Sequence, residues 1–145
     1  MHLRFGWTSR SLVLMALGLL GGCARETPIL ADLPAFAGSL QIVTEGDGEG
    51  RRLVGHLQFD RAAKTTRFAP TVPGGSPPVE LVHDGTTLSK SVGGNPAALE
   101  LTDEADFALV TMVLSAKPTG VDVVERGPGR CVLALGERRL RIEWK

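Results

Sequence analysis

Arg51-Arg52-Leu53-Val54-Gly55-His56-Leu57-Gln58-Phe59-Asp60 is the stretch that decides the fold of this chain. In an extended backbone Leu53, Gly55, Leu57 and Phe59 share one face, and Val54, His56, Gln58 and Asp60 share the other. A sustained period of two with one apolar face describes a β-strand that buries one side only. Strands of that kind belong to antiparallel sheets, where one face packs on a core and the other meets water.

Outward from this strand the same grammar repeats. Gly38 to Glu45 carries Leu40 and Ile42 on one face. Gly46-Asp47-Gly48-Glu49-Gly50 then joins the two strands as a flexible hairpin loop. Its alternating acids invite a calcium reading, but the ordered array of oxygen ligands ending in Glu that an EF-hand loop needs is absent. Arg61-Ala62-Ala63-Lys64 is a turn and Thr65 to Phe68 a short return strand. Pro70 to Pro78 is rich in proline and cannot pair as a central strand. Val79 to Val82 and Thr87 to Val92 form the next hairpin, around an Asp84-Gly85 turn. His83 and Asp84 are adjacent, so in a strand they point to opposite faces and read as turn residues rather than a catalytic pair. Gly93 to Ala98 reads as loop.

Thr102 is a candidate helix cap, with Asp103, Glu104 and Asp106 at the positive end of the helix dipole. Ala105, Ala108, Leu109, Met112 and Val113 make one helical face. Phe107, Val110 and Leu114 leave the helix apolar nearly all round, as a deeply buried helix is. A strand over 107–114 is the rival reading, since a short apolar run is ambiguous. Beyond Pro118 and Gly120 three strands close the chain: Val121 to Glu125, Arg130 to Leu135 and Arg138 to Trp144. The expected fold is mainly β (α+β), a curved antiparallel sheet or half-barrel of about seven or eight strands with one apolar helix covering it.

The opposite end of the chain carries a different signal. Arg4 and Arg10 precede the apolar run Ser11-Leu12-Val13-Leu14-Met15-Ala16-Leu17-Gly18-Leu19-Leu20, and small residues follow. Basic, then apolar, then small is the order of a secretory signal. The run is about 12 residues long, against roughly 20 for a spanning helix. Leu20-Gly21-Gly22-Cys23 resembles the lipobox of bacterial lipoproteins: an aliphatic residue and two small ones before a cysteine. The resemblance implies cleavage after Gly22 and acylation of Cys23. A plain secretory signal cut after Ala24 is the other reading. Several acyl chains hold a protein to a bilayer far more firmly than one. Ala24 stands where an aspartate would signal inner-membrane retention, which by the same analogy implies a lipid-anchored protein of the outer membrane facing the periplasm. The organisation expected is residues 1–22 as lipoprotein signal peptide, 23–36 as lipidated cysteine and tether, and 37–145 as a single β-rich domain.

Removing residues 1–22 from the 145 leaves 123, enough for one core. The chain has 16 basic and 16 acidic residues, and the loss of Arg4 and Arg10 leaves a net charge of about −2. With no long charge run and no Tyr, the electrostatic footprint and the stacking platforms of a nucleic-acid partner are missing. Once Cys23 is acylated, Cys131 is the sole thiol, so no intramolecular disulfide forms. It sits in an apolar run and reads as a small buried hydrophobe rather than a reactive group. His56 reads as a solvated histidine, and Arg138, Arg139 and Arg141 as a solvated strand face.

The segment Gly55-His56-Leu57-Gln58-Phe59, Arg67-Phe68, Pro77-Pro78 and Leu81-Val82-His83-Asp84-Gly85 resembles the LolA/LolB-like lipoprotein-carrier superfamily in its order of strand, Arg-Phe strand, proline loop and Asp-Gly strand end. The resemblance covers about 50 residues, and this chain departs from the family in being shorter, in lacking aromatic residues around the middle strands and in diverging after Gly94. It implies a half-barrel covered by helices whose apolar cavity holds acyl chains, with Arg67 inside or at its rim. The membrane-anchored receptor branch of the family suits the lipobox better than the soluble carriers.

Two functions are expected to compete. One is a non-enzymatic, membrane-anchored binding module for a lipid or acyl chain, its cavity lined by Leu53, Leu57, Phe59, Arg67, Leu109, Met112 and Val113. The alternative is a structural or adaptor lipoprotein that contacts envelope proteins through the 70–78 loop or the Arg138-Arg139-Arg141 edge. No Gly-x-Ser-x-Gly elbow, His-Glu-x-x-His, P-loop or Cys-x-x-Cys occurs, so neither an enzyme nor a cofactor or metal protein is expected.

Overall fold

The structure, a computed structural model, describes residues 30–46, 50–100, 103–116 and 120–145. The lipobox Leu20-Gly21-Gly22-Cys23, Thr102 and the tip of the first glycine-rich loop lie outside the described residues.

A 3-10 turn, Leu30–Asp32, leads into β1 (Ala35–Glu45), which pairs antiparallel with β2 (Arg51–Asp60) from Thr44↔Arg51 to Ala35↔Asp60. Then come β3 (Thr65–Pro70), β4 (Val79–His83), β5 (Leu88–Val92) and β6 (Asn95–Ala97). The single described helix, α1 (Asp103–Ala116), precedes β7 (Asp122–Gly127), β8 (Arg130–Leu135) and β9 (Arg138–Trp144). All strands belong to one sheet ordered β6-β5-β4-β3-β2-β1-β9-β8-β7. The two edge strands, β6 and β7, do not pair, so the sheet is unclosed, and the chain passes from one edge to the other through α1.

The sheet has nine strands where about seven or eight are expected from sequence. The added one is β6, in a stretch read as loop. Gly93 (φ 58°) and Gly94 (φ 83°) supply two successive left-handed residues, which fold β5 back so that Val92 pairs with Asn95. Such a pair of positive-φ residues is the turn that suits the twist of a hairpin. The domain also starts earlier than residue 37. Leu30, in the stretch read as tether, is 2% exposed within the core, and β1 begins at Ala35.

Alternation holds along the deciding strand. Leu53, Gly55, Leu57 and Phe59 are buried, while Arg52, His56, Gln58 and Asp60 are exposed. Gly55 is required there by close approach: a Cβ would lie 2.2 Å from the Ala69 carbonyl oxygen and 2.8 Å from the Phe68 ring. With the side chain absent, Phe68 fills that space and stacks on Phe107 of α1, with ring centroids 5.2 Å apart. Leu40, Ile42, Leu81, Leu133, Leu140 and Ile142 complete the sheet side of the core.

The element over 103–116 is a helix, not the rival strand, and the face it buries differs from the expected one. Phe107, Val110, Thr111 and Leu114, spaced as one helical face, are buried together with Val113, while Leu109 is half-buried and Met112 is 47% exposed. Phe107 is the largest side chain on the helix, and its stack with Phe68 sets the rotation.

Candidate functional site

The face of the sheet beneath α1 carries most of the apolar residues expected to line a cavity. Leu53, Leu57, Phe59 and Val113 all sit there in the core. They are packed rather than lining an open space. The void between α1 and the sheet, bounded by Val110, Leu114, Cys131, Leu133 and neighbours, is about 10 Å³, room for one water-sized probe at most. Of the other expected lining residues, Leu109 packs at the edge of the core and Met112 faces away from it. Arg67 is exposed on β3, 3.4 Å from Glu80 on β4, on the face opposite Phe68. The structure therefore brings five of the seven together and leaves Arg67 and Met112 apart.

Two acids that the sequence presents as dipole-matching charges are buried. Asp106, 1% exposed, accepts a hydrogen bond from Thr44 Oγ1 of β1 and pairs with Arg138 of β9, with Arg51 of β2 at 3.9 Å. Glu104, 9% exposed, takes Lys90 of β5 at 2.5 Å. A charge withdrawn from water is tolerable only when paired, and each acid is paired with a basic residue on the sheet. The first turn of α1 is thus clamped to strands on both sides of the sheet centre. Once the buried stripe is known, spacing accounts for Asp106, which lies four residues before Val110 and seven before Val113.

An open cleft of about 350 Å³ lies at one end of the helix. Phe59 and Leu114 give it apolar walls, Thr66 a hydroxyl, and Asp60, Arg61, Lys64 and Gly85 its rim. Phe59 and Thr66 are a register pair across β2 and β3, so both project from the same face. The β2–β3 turn is held by Asp60, whose Oδ1 accepts from the Ala62 and Ala63 N–H groups at 2.9 and 3.2 Å. Arg61 is fixed from the other side: its N–H donates to the Pro34 carbonyl and its Nε to the Leu33 carbonyl. Lys64 closes the turn with φ 54°, the one described non-glycine residue with positive φ.

The remaining candidates have structural roles. His83 is buried and its Nδ1 accepts from the Gly85 N–H at 3.0 Å. Asp84 points the other way and accepts from the Thr87 and Thr86 N–H groups, which hold its carboxyl below the usual carboxylate range. Cys131 is buried, and desolvation, opposed by the Arg126 charge, pushes its thiol up to about 11. Arg141 lies between Glu45 at 3.5 Å and Glu143 at 3.9 Å. Among the described residues no three His, Cys, Asp or Glu side chains could hold a metal ion, and no helix is long and apolar enough to cross a membrane.

No protein-family model matches the chain, and a comparison with curated proteins finds no match.

Proposed function

We propose that this protein is a lipid-anchored envelope protein, held at the outer membrane through Cys23, whose domain works as a non-enzymatic binding module for an acyl chain. In this reading the unclosed sheet is a half-barrel of the LolA/LolB-like kind and α1 is its cover. The observation that carries it is the cleft beside Phe59 and Leu114. Its volume, about 350 Å³, falls at the lower end of the range of small-molecule sites, and two of its walls, Phe59 and Leu114, belong to the apolar core between helix and sheet. The void under α1 is too small for a ligand, so a longer chain reaches the interior only as the C-terminal half of the helix moves aside. Among the described residues the polar ties from α1 to the sheet lie in its first turn, at Asp106 and Glu104, which supports movement of the other half.

Native mass spectrometry on residues 24–145, with extraction of bound lipids, tests the reading. A discrete added mass that resolves into fatty acyl or phospholipid species is the expected result. An apo mass that persists when lipid is supplied overturns it.

A second reading has its own observation. The filled interior suits an adaptor lipoprotein that contacts another envelope protein through its surface and holds no ligand at all. In-cell crosslinking from the 70–78 loop or from Arg139 would then recover one protein partner in stable yield.

A further inference from the structure

The rim of the cleft is not neutral. Arg61 and Lys64 both border it, and Asp60, the acid beside them, directs Oδ1 to two backbone N–H groups of its own turn. Lys64 is held in the left-handed region, where a side chain is disfavoured and glycine or asparagine is the usual occupant. A strained residue of that kind persists where the surrounding structure over-determines it, and such residues gather at binding sites. Gly85 lies beside it on the same rim: a Cβ there would sit 3.4 Å from the Lys64 Cβ. The cleft is lined besides by the Thr66 hydroxyl and by the apolar walls of Phe59 and Leu114. The cations are exposed, and the hydroxyl and the apolar walls are buried.

We propose that the cleft takes a single-chain anionic amphiphile, a fatty carboxylate, with its head group at Lys64 and the first part of its chain between Phe59 and Leu114. This rests on the acyl-chain reading above and specifies its ligand. Cations at the mouth of an apolar slot favour an anion over a neutral head, because the charge stays near water while the chain is buried. The same geometry explains why the cation stands on the β2–β3 turn: that turn is braced from both sides, so the charge is positioned before any ligand arrives.

The full chain, purified in a neutral maltoside detergent, is photolabelled with a diazirine analogue of stearate and with the matching fatty alcohol, and labelled peptides are mapped. The expected result is labelling around Phe59–Thr66 and Leu114, with the acid half-saturating at a concentration about fivefold lower than the alcohol, as a partly exposed ion pair supports. Lys64→Gly should erase that difference without lowering Tm, since glycine accepts this backbone conformation freely, and Lys64→Arg should keep it. Equal half-saturation for acid and alcohol at the same residues overturns the head-group assignment and leaves the acyl-chain reading standing. No labelling of the cleft by either probe overturns both. Competition by inorganic phosphate as effective as by stearate also overturns the assignment, because the chain would then contribute nothing.

Discussion

Thr44 Oγ1 donates a hydrogen bond of 2.5 Å to Asp106 Oδ2, joining β1 to α1 across 62 residues of chain. Both groups are buried, and the same carboxylate pairs with Arg138. The contact sets where the helix begins to lie on the sheet, and so which part of it covers the core and which part borders the cleft.

Asp106→Ala would leave the Arg138 guanidinium and the Thr44 hydroxyl without their shared acceptor. Breaking one side of a buried ion pair costs about 3–5 kcal/mol. Asp106→Asn, which keeps an acceptor, should cost less, and Thr44→Val about 1–2 kcal/mol. Urea unfolding measures all three; an Asp106→Ala midpoint equal to wild type would show that the clamp carries no stability.

The two sides of α1 should respond unequally. Phe107→Ala removes a fully buried ring stacked on Phe68 and should cost about 3–5 kcal/mol. Met112→Lys, at a position 47% exposed, should change stability by less than about 0.5 kcal/mol. Thermal melts of the pair test the rotation of the helix directly, and a reversed order would place the buried face elsewhere.

Gly55→Ala introduces a methyl 2.2 Å from the Ala69 carbonyl oxygen, a backbone atom of the neighbouring strand. Neither strand can yield without breaking the β2–β3 ladder, so a loss of about 2 kcal/mol or more is expected. Circular dichroism during a urea titration would register it as an earlier transition.

Cys131 gives a pH dependence. Its thiol titrates at 9.0 ordinarily and is pushed up to about 11 by burial. Folding therefore favours the neutral thiol. That contribution is fully present below pH 9 and is lost as the pH rises through about 11. Stability measured from pH 8 to 11 should decline over that window, and Cys131→Ala should flatten the decline. At pH 8 the native thiol should react with a disulfide reagent far more slowly than in urea.

Much of the strand framework was legible because alternation is written into neighbouring residues. Leu53, Gly55, Leu57 and Phe59 alternate whatever surrounds them, and the Asp84-Gly85 turn is equally local. The missed strand, β6, turned on weighing Gly93-Gly94 as a hairpin rather than a loop. The helix was legible as an element but not in its rotation, because nearly every position in 107–114 is apolar and composition alone could not choose among faces. The cleft was hardly legible at all. Phe59 stood out as a strand residue, but Thr66, Lys64, Gly85 and Leu114 come from separate elements, and nothing in their spacing joins them. Arg67, named from the family resemblance, lies on the exposed face because one residue of register separates it from Phe68.

The sequence by itself determined which segments extend, which face of each strand is apolar and where most turns fall, because strand geometry gives every second side chain to the same side regardless of context. Only the tertiary structure decided that Phe107 rather than Met112 meets the sheet, that Asp106 and Glu104 are buried in ion pairs, and that Lys64 and Arg61 stand at an apolar cleft. Each of those outcomes depends on which strands lie under the helix and what they present there, a pairing between residues far apart in the chain that no local pattern encodes.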